Sequence, residues 1–279
     1  MRRWLIDQRD SGAGALARIR GRLAPRERPT FLIAGAQKAG TTYLYQELCA
    51  HPHVLPALTK EIHYFDSNYE RGLSWYLGFF PSASKLAMGR ISGEASPDYL
   101  VHPLAAQRIA RDLPDTKVII LLRDPVKRAF SQFLHERRLG YEPVSSFQEA
   151  LALEDARLEG EVERSERDPS YVSYALSHYS YRLRGCYLPQ VQRFYDALGP
   201  ERLMILRSES LYADPIESNV KVQQFLGLEP WRPNRPGPND MKFSGVIPTD
   251  AAAELRDYFA PHQEALEKYL ADLDLVGDF

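Results

Sequence analysis

The sequence predicts an α/β fold built on a central parallel sheet flanked by helices, and three observations carry that expectation. Residues 31–44, FLIAGAQKAGTTYL, read in succession as a short buried strand, a small-residue loop and the start of a helix. Residues Val118 to Leu122 are continuously apolar, as in a central parallel strand covered on both faces. Further short apolar runs alternate with helical periodicity, and neither repeats nor low-complexity linkers interrupt the chain.

A chain of 279 residues with 44% apolar residues can bury a substantial core. It divides into an Arg-rich leader, residues 1–29, and one domain, residues 30–279. Trp4, Leu5, Leu16 and Ile19 give the leader a weakly amphipathic helix. The interspersed acids Asp7, Asp10 and Glu27 favour a packed or frayed segment over a membrane-touching one, and Pro25 and Pro29 end it. A formal net charge of −2 argues against a nucleic-acid-coating protein and leaves a local basic cleft open. Cys49 and Cys186 lie far apart with no zinc-type spacing and read as free thiols of a reducing compartment. The chain has no long apolar run near its start, which argues against a signal peptide or transmembrane anchor. The expectation is a cytoplasmic enzyme; the sequence is silent on oligomeric state.

The loop between strand and helix, Gly35 to Gly40, has the architecture that catches phosphate, because amides at a helix N-terminus point at the anion. It is not a Walker A loop: Gly40 is followed by Thr41, and the lysine precedes Gly40 by two residues. Lys38 can reach a bridging oxygen and stabilise a leaving phosphate without a metal. An ordinary strand–turn–helix with a surface lysine stays open on the loop alone.

Lys60 to Asp66 alternates as an extended segment, with Glu61, His63 and Phe65 on one side and Ile62, Tyr64 and Asp66 on the other. Ionisable residues packed among aromatics suggest a cleft wall; a solvated surface strand is the alternative. Gly72 to Pro81 reads as a short helix whose Trp75, Tyr76, Phe79 and Phe80 are core. Ser92 to Leu100 is a strand entering a proline-initiated turn, with Glu94 and Ser96 facing the acceptor side. Arg123 stands at the carboxyl end of the apolar strand, where ligands of open α/β sheets bind. Pro125 suits the first turn of the next helix, which places Arg128 on the helix surface.

Residues 142–168 carry charges of both signs and read as a solvated helix and loop. The tyrosines from Tyr171 to Tyr187 suit a carbohydrate or aromatic acceptor, with about half of them core; His178 reads as non-catalytic. A helix over 188–198, a strand over 203–206 and a helix capped by Gly227 follow. Residues 229–240 form a long loop of the kind that serves as a lid, and Pro261 should break 251–270 into two helices.

GAQKAGTTYL resembles the 5′-phosphosulfate loop of sulfotransferases that use 3′-phosphoadenosine 5′-phosphosulfate (PAPS), with the nearest pattern in the heparan sulfate sulfotransferases and their bacterial relatives. Two further segments agree. Lys60 to Asp66 resembles the family's Lys-Glu-x-His-Phe-Phe-Asp, with Tyr64 replacing the first Phe, and residues 123–131 match RDPxxRAxS. The resemblance implies a P-loop-like three-layer sandwich. It implies PAPS binding by Gln37, Lys38, Ala39, Gly40, Thr41 and Thr42, with the 3′-phosphate held by Arg123 and Ser131. It makes Glu61 the catalytic base and Lys38 the stabiliser of the leaving phosphate, with His63 and Asp66 in support and no metal required. His63 leans toward O-sulfation. The family closes over the nucleotide with a basic loop, for which Lys242 is the candidate, although Met-Lys-Phe-Ser-Gly departs from the usual Lys-Gly-Arg. The acceptor expected is a carbohydrate, lipid or other small molecule, and the product is 3′,5′-adenosine bisphosphate. The resemblance spans residues 30 to 275 and weakens between 140 and 245, where acceptor choice lies. A magnesium-dependent kinase and a non-catalytic nucleotide- or glycan-binding protein are the alternatives.

Overall fold

A computed structural model describes residues 12–23, 26–232 and 245–273. Five strands form its sheet: β1 (Phe31–Gly35), β2 (Val54–Pro56), β3 (Ile91–Ala95), β4 (Lys117–Leu122) and β5 (Leu203–Arg207). They pair in parallel throughout, in the order β2-β3-β1-β4-β5. Parallel neighbours need crossovers, and helices supply them on both faces. Those used below are α1 (Gly12–Leu23), α2 (Thr41–Ala50), α3 (Leu73–Leu77), α4 (Ala105–Asp112), α5 (Pro125–Leu139), α6 (Phe147–Leu158), α7 (Tyr174–His178), α8 (Tyr187–Leu198), α9 (Ser208–Ala213), α10 (Pro215–Phe225) and α11 (Thr249–Asp272).

The expected strands are present because their residues have nowhere polar to face. All of β1 is buried, and Val118 to Leu122 have no exposed surface. Helix α5 starts where the sequence signals it: the Asp124 carboxylate accepts from the Lys127 N–H at 2.8 Å, and Pro125 fills the first turn. Trp75, Tyr76, Phe79 and Phe80 are core as expected, and both cysteines are free thiols. Among the described residues, no helix is long and apolar enough to cross a membrane.

Four expectations need correction. Helix α1 does form, but Leu16 and Ile19 are exposed. The helix docks through its small residues: a Cβ on Gly21 would stand 2.1 Å from the Ser74 carbonyl oxygen, and the Trp75 indole N–H donates to the Gly14 carbonyl at 3.2 Å. Backbone-to-backbone contact decided the docking face, which apolar periodicity cannot read. Pro261 does not divide the C-terminal segment; α11 is one helix. Its first half packs Leu255 and Phe259 into a cluster with Phe130, Phe133 and Tyr181, and its second half packs Leu266 and Leu270 against the main core. Anchorage on both sides of the proline offsets the missing hydrogen bond.

Arg128 is fully buried instead of on the helix surface, donating to the Gln132 side-chain oxygen at 2.8 Å and to the Tyr181 carbonyl. Burial pushes its pKa down to about 10. The charged run 142–168 is not wholly solvated. Glu142 and Glu154 are buried, Glu142 accepting from Arg157 and the Tyr181 hydroxyl at 2.7 Å each, and Glu154 from the Arg182 and Leu183 amides at 2.8 and 3.0 Å. These carboxylates tie the tyrosine-rich segment down, which is why Tyr181 and Tyr187 are core while Tyr171, Tyr174 and Tyr179 stay half-open.

Candidate active site

The site is assembled at the carboxyl ends of three adjacent strands. Beyond β1 lies the loop 36–40, beyond β4 lies Arg123, and the Glu61 segment is pinned to the end of β3 by the Glu61 N–H donating to the Ala95 carbonyl at 3.1 Å. The chain leaves β1 toward β2 on one side and resumes at β4 on the other, which makes this a topological switch point and the expected crevice for a ligand.

The loop is held from three directions. The Ala36 N–H donates to the Leu121 carbonyl at 2.7 Å, Arg123 Nη1 to the Lys38 carbonyl at 2.7 Å, and the Ser208 hydroxyl to the Ala39 carbonyl at 2.6 Å. Lys38 and Gly40 take left-handed φ values of 68° and 99°. At Gly40 a side chain is excluded twice, since a Cβ would also stand 2.6 Å from the Tyr212 hydroxyl oxygen. Gly40 opens α2 without a side-chain cap, so the first-turn amides of Thr41 and Thr42 keep the donors that a phosphate needs. Two buried polar atoms beside this turn lack a protein partner, Gln37 Oε1 and the Tyr212 hydroxyl. The open helix terminus and the Tyr212 hydroxyl, which can donate, fit an anionic group, whereas Gln37 Oε1 can only accept.

Burial first, and then the Arg138 and Arg123 charges, lower the Lys38 pKa, while Glu136 and Glu61 oppose them. Lys38, the loop cation, and Glu61 therefore share one electrostatic neighbourhood. Ser131 is half-buried two turns into α5, eight residues beyond Arg123. Lys242 lies outside the described residues, as does most of the expected lid.

The Glu61 segment is not the alternating strand the sequence suggests. Glu61 and His63 have φ values of 62° and 53°, so the backbone turns instead of extending. The turn brings Glu61, His63 and Asp66 together. His63 Nδ1 bonds Asp66 Oδ2 at 2.6 Å, and its Nε2 lies 3.9 Å from Glu61 Oε2. Lys60 pairs with the other Glu61 oxygen. Burial disfavours charge on His63, but the Asp66 carboxylate outweighs it and holds the imidazole protonated, while His63 keeps Asp66 below the usual carboxylate range. Burial likewise works to raise Glu61, yet the nearby imidazolium of His63 and the Lys60 ammonium bring it down to about 2. Its side chain keeps 44% of its surface open, which is the face an acceptor can reach.

Glu94 and Ser96 do not face the acceptor. Glu94 has no exposed surface and accepts from the Ser96 hydroxyl at 2.6 Å, the Tyr99 hydroxyl at 2.6 Å, the Tyr76 hydroxyl at 3.2 Å and the Ile62 N–H at 3.3 Å. Ser96 in turn accepts from the His63 N–H at 3.1 Å, and the Tyr99 hydroxyl from the Tyr64 N–H at 2.9 Å. This hub fixes the turn that carries Glu61 and His63.

Sequence reasoning missed Glu136, His135, Arg138 and Tyr212. Glu136 is buried between the Gln37 side chain, at 3.3 Å, and His178 Nδ1, at 2.8 Å. His135 feels both Lys38 and Glu61, its pKa lowered by burial first and then by the Lys38 charge. Arg138 Nη2 lies 3.1 Å from His135 Nδ1. Ser131, His135 and Arg138 recur at helical spacing, and that spacing was the available signal.

The description "Sulfotransferase domain" matches residues 28–235. The chain belongs to the sulfotransferase family. It is 33% identical over 208 residues to human bifunctional heparan sulfate N-deacetylase/N-sulfotransferase 3, a match covering 72% of this chain and 22% of that protein. It is 34% identical over 205 residues to mouse heparan sulfate glucosamine 3-O-sulfotransferase 3B1, covering 73% and 47%. The crystal structure of a sulfotransferase from Alicyclobacillus acidocaldarius superposes with a TM-score of 0.70 at 30% identity, over 88% of this chain and 96% of that one. The matched part of this sulfotransferase spans less than half the length of either curated relative.

Proposed function

We propose that this sulfotransferase moves a sulfuryl group from PAPS to an acceptor hydroxyl, with Glu61 as the base. The observation that carries the reading is the convergence of the uncapped helix N-terminus after the Lys38 loop, Arg123 and the Glu61 turn at the carboxyl ends of three adjacent strands. PAPS, when bound, supplies the activated sulfuryl group and a phosphate leaving group. Lys38 and the amides of Gln37 to Thr42 receive the charge that grows on that phosphate as its bond to sulfur breaks. Arg123 and Ser131 hold the 3′-phosphate, Arg123 offering a charge-assisted fork and Ser131 a neutral donor.

The acceptor hydroxyl gives its proton to Glu61 as its oxygen bonds to sulfur. In the free protein Glu61 is a weak base, kept ionised by His63. An acceptor covering its open face removes water from the carboxylate, which raises its basicity at the moment of use. His63, fixed by Asp66, holds the carboxylate in place. The names of the relatives, together with His63, support a carbohydrate hydroxyl as acceptor.

The test is binding of 3′,5′-adenosine bisphosphate against 5′-AMP and ATP, with and without magnesium. Metal-independent preference for the bisphosphate, weakened about tenfold to a hundredfold in Arg123→Ala, is the expected result, the scale of one or two charge-assisted hydrogen bonds. A preference for ATP with magnesium overturns the donor assignment.

A further inference from the structure

Helix α1 lies outside the residues matched by the family description, and it builds a cavity that the reaction scheme does not use. The cavity measures about 510 Å³, and its wall combines Arg18 and Arg22 of α1 with Ser67, Asn68 and Arg71. Arg18 and Arg22 are one helical turn apart and therefore project from the same face. Arg71 adds a third arginine to the lining, its guanidinium 5.0 Å from the centre of the Trp75 ring. Three arginines and one carboxylate residue, Glu70, contribute to this lining.

The arrangement is built, not fortuitous. The Trp75 indole and the Ser74 hydroxyl each donate to an α1 carbonyl, Gly14 and Gly21, at 3.2 Å. With Gly21 in backbone contact with Ser74, the helix backbone that carries the two arginines is fixed against residues 74 and 75. Ser67 and Asn68 of the lining back the turn that carries Glu61 and His63. Asn68 donates its side-chain amide to the Ile62 and His63 carbonyls at 3.2 and 3.1 Å, and the Ser67 N–H donates to Asp66 Oδ1 at 2.6 Å.

We propose that this cavity binds an oxyanion, a sulfate or carboxylate group carried on a saccharide, at a second site separate from the nucleotide loop. Arginine forks match such groups in geometry and charge, and the volume admits the sugar that bears them. The occupant is either an acidic sugar remote from the hydroxyl being sulfated or a free inorganic anion; the chemistry of recognition is the same. The part that concerns an acceptor rests on the proposed sulfotransfer reaction, while anion binding itself does not.

Calorimetric titration of the full chain with glucose 6-sulfate, glucose and sodium sulfate tests it, in wild type and in the double variant Arg18→Gln/Arg22→Gln. Both arginines are exposed, so the variant should fold, and 3′,5′-adenosine bisphosphate binding within twofold of wild type serves as the control. The sulfated sugar should bind wild type and glucose should not, and the double variant should bind the sulfated sugar about tenfold or more weakly, the scale of a lost charge-assisted hydrogen bond. Tighter binding of the sulfated sugar than of sulfate identifies a saccharide site; equal binding identifies an inorganic-anion site. Undiminished binding by the double variant, or no binding of either anion to wild type, overturns the proposal. Absence of 3′,5′-adenosine bisphosphate binding to wild type, with the sulfated sugar bound there and lost in the double variant, would instead defeat the donor assignment and leave this site standing.

Discussion

Glu61 is the residue whose chemistry is most exposed to test. Glu61→Gln keeps the shape and removes the proton acceptor, and turnover should fall by about two orders of magnitude or more, with bisphosphate binding unchanged. Near-wild-type turnover would remove Glu61 from the base role. Asp66 acts one step further back. Its carboxylate is what holds His63 protonated, so in Asp66→Asn the imidazole should titrate closer to its ordinary value of about 6.5, read from its ring-proton NMR shifts. The sign for stability follows. A histidine raised on folding stabilises fully below about pH 6.5 and loses that contribution as pH rises through its folded pKa. Wild type should therefore exceed Asp66→Asn most at pH 5 to 6, with the gap narrowing on the alkaline side, measured as denaturant midpoints. A gap that widened with pH would contradict the ion pair.

At the scale of elements, the turn from Glu61 to Asp66 depends on a buried carboxylate that the proposed reaction does not use. Glu94 gathers four donors, and its removal strands them in the core. Glu94→Ala should cost about 3 kcal/mol, the scale of breaking a buried charged hydrogen-bond cluster, and lower turnover beyond what the lost stability explains. The loop offers a steric counterpart. Gly40→Ala meets the Tyr212 hydroxyl and should weaken bisphosphate binding, with partial recovery in Gly40→Ala/Tyr212→Phe; absence of recovery would place the whole penalty in the backbone angle. The elements also separate what was legible in the sequence from what was not. Strand β1, its loop and β4 were readable because apolar runs and small residues are local signals. The positive φ values at Glu61 and His63 were not, because they are imposed by Ser96, Tyr99 and Glu94 from more than 30 positions away. The same holds for buried Arg128, Glu142 and Glu154: charge reads as solvent until the partner across the fold is known.

For the whole molecule, a ligand that binds only the folded state adds stability. At a hundred times its dissociation constant, 3′,5′-adenosine bisphosphate should add about 2.7 kcal/mol and raise the melting temperature by roughly 5 to 10 °C. 5′-AMP at the same concentration should do markedly less, and an equal shift would argue against a 3′-phosphate site. The sheet order was not legible in the sequence, since a parallel register records contacts between distant segments. The tyrosine-rich layer was readable only in composition.

The Ser208 hydroxyl that holds the Ala39 carbonyl comes from 169 residues downstream. Translation runs from the N-terminus, so the anion loop is synthesised early and completed late. A nascent chain halted on the ribosome before Ser208 has emerged possesses the loop, Glu61 and Arg123, yet lacks the hydroxyl that holds the Ala39 carbonyl. Closure of the loop 36–40 thereby waits on the segment that follows the last strand of the sheet.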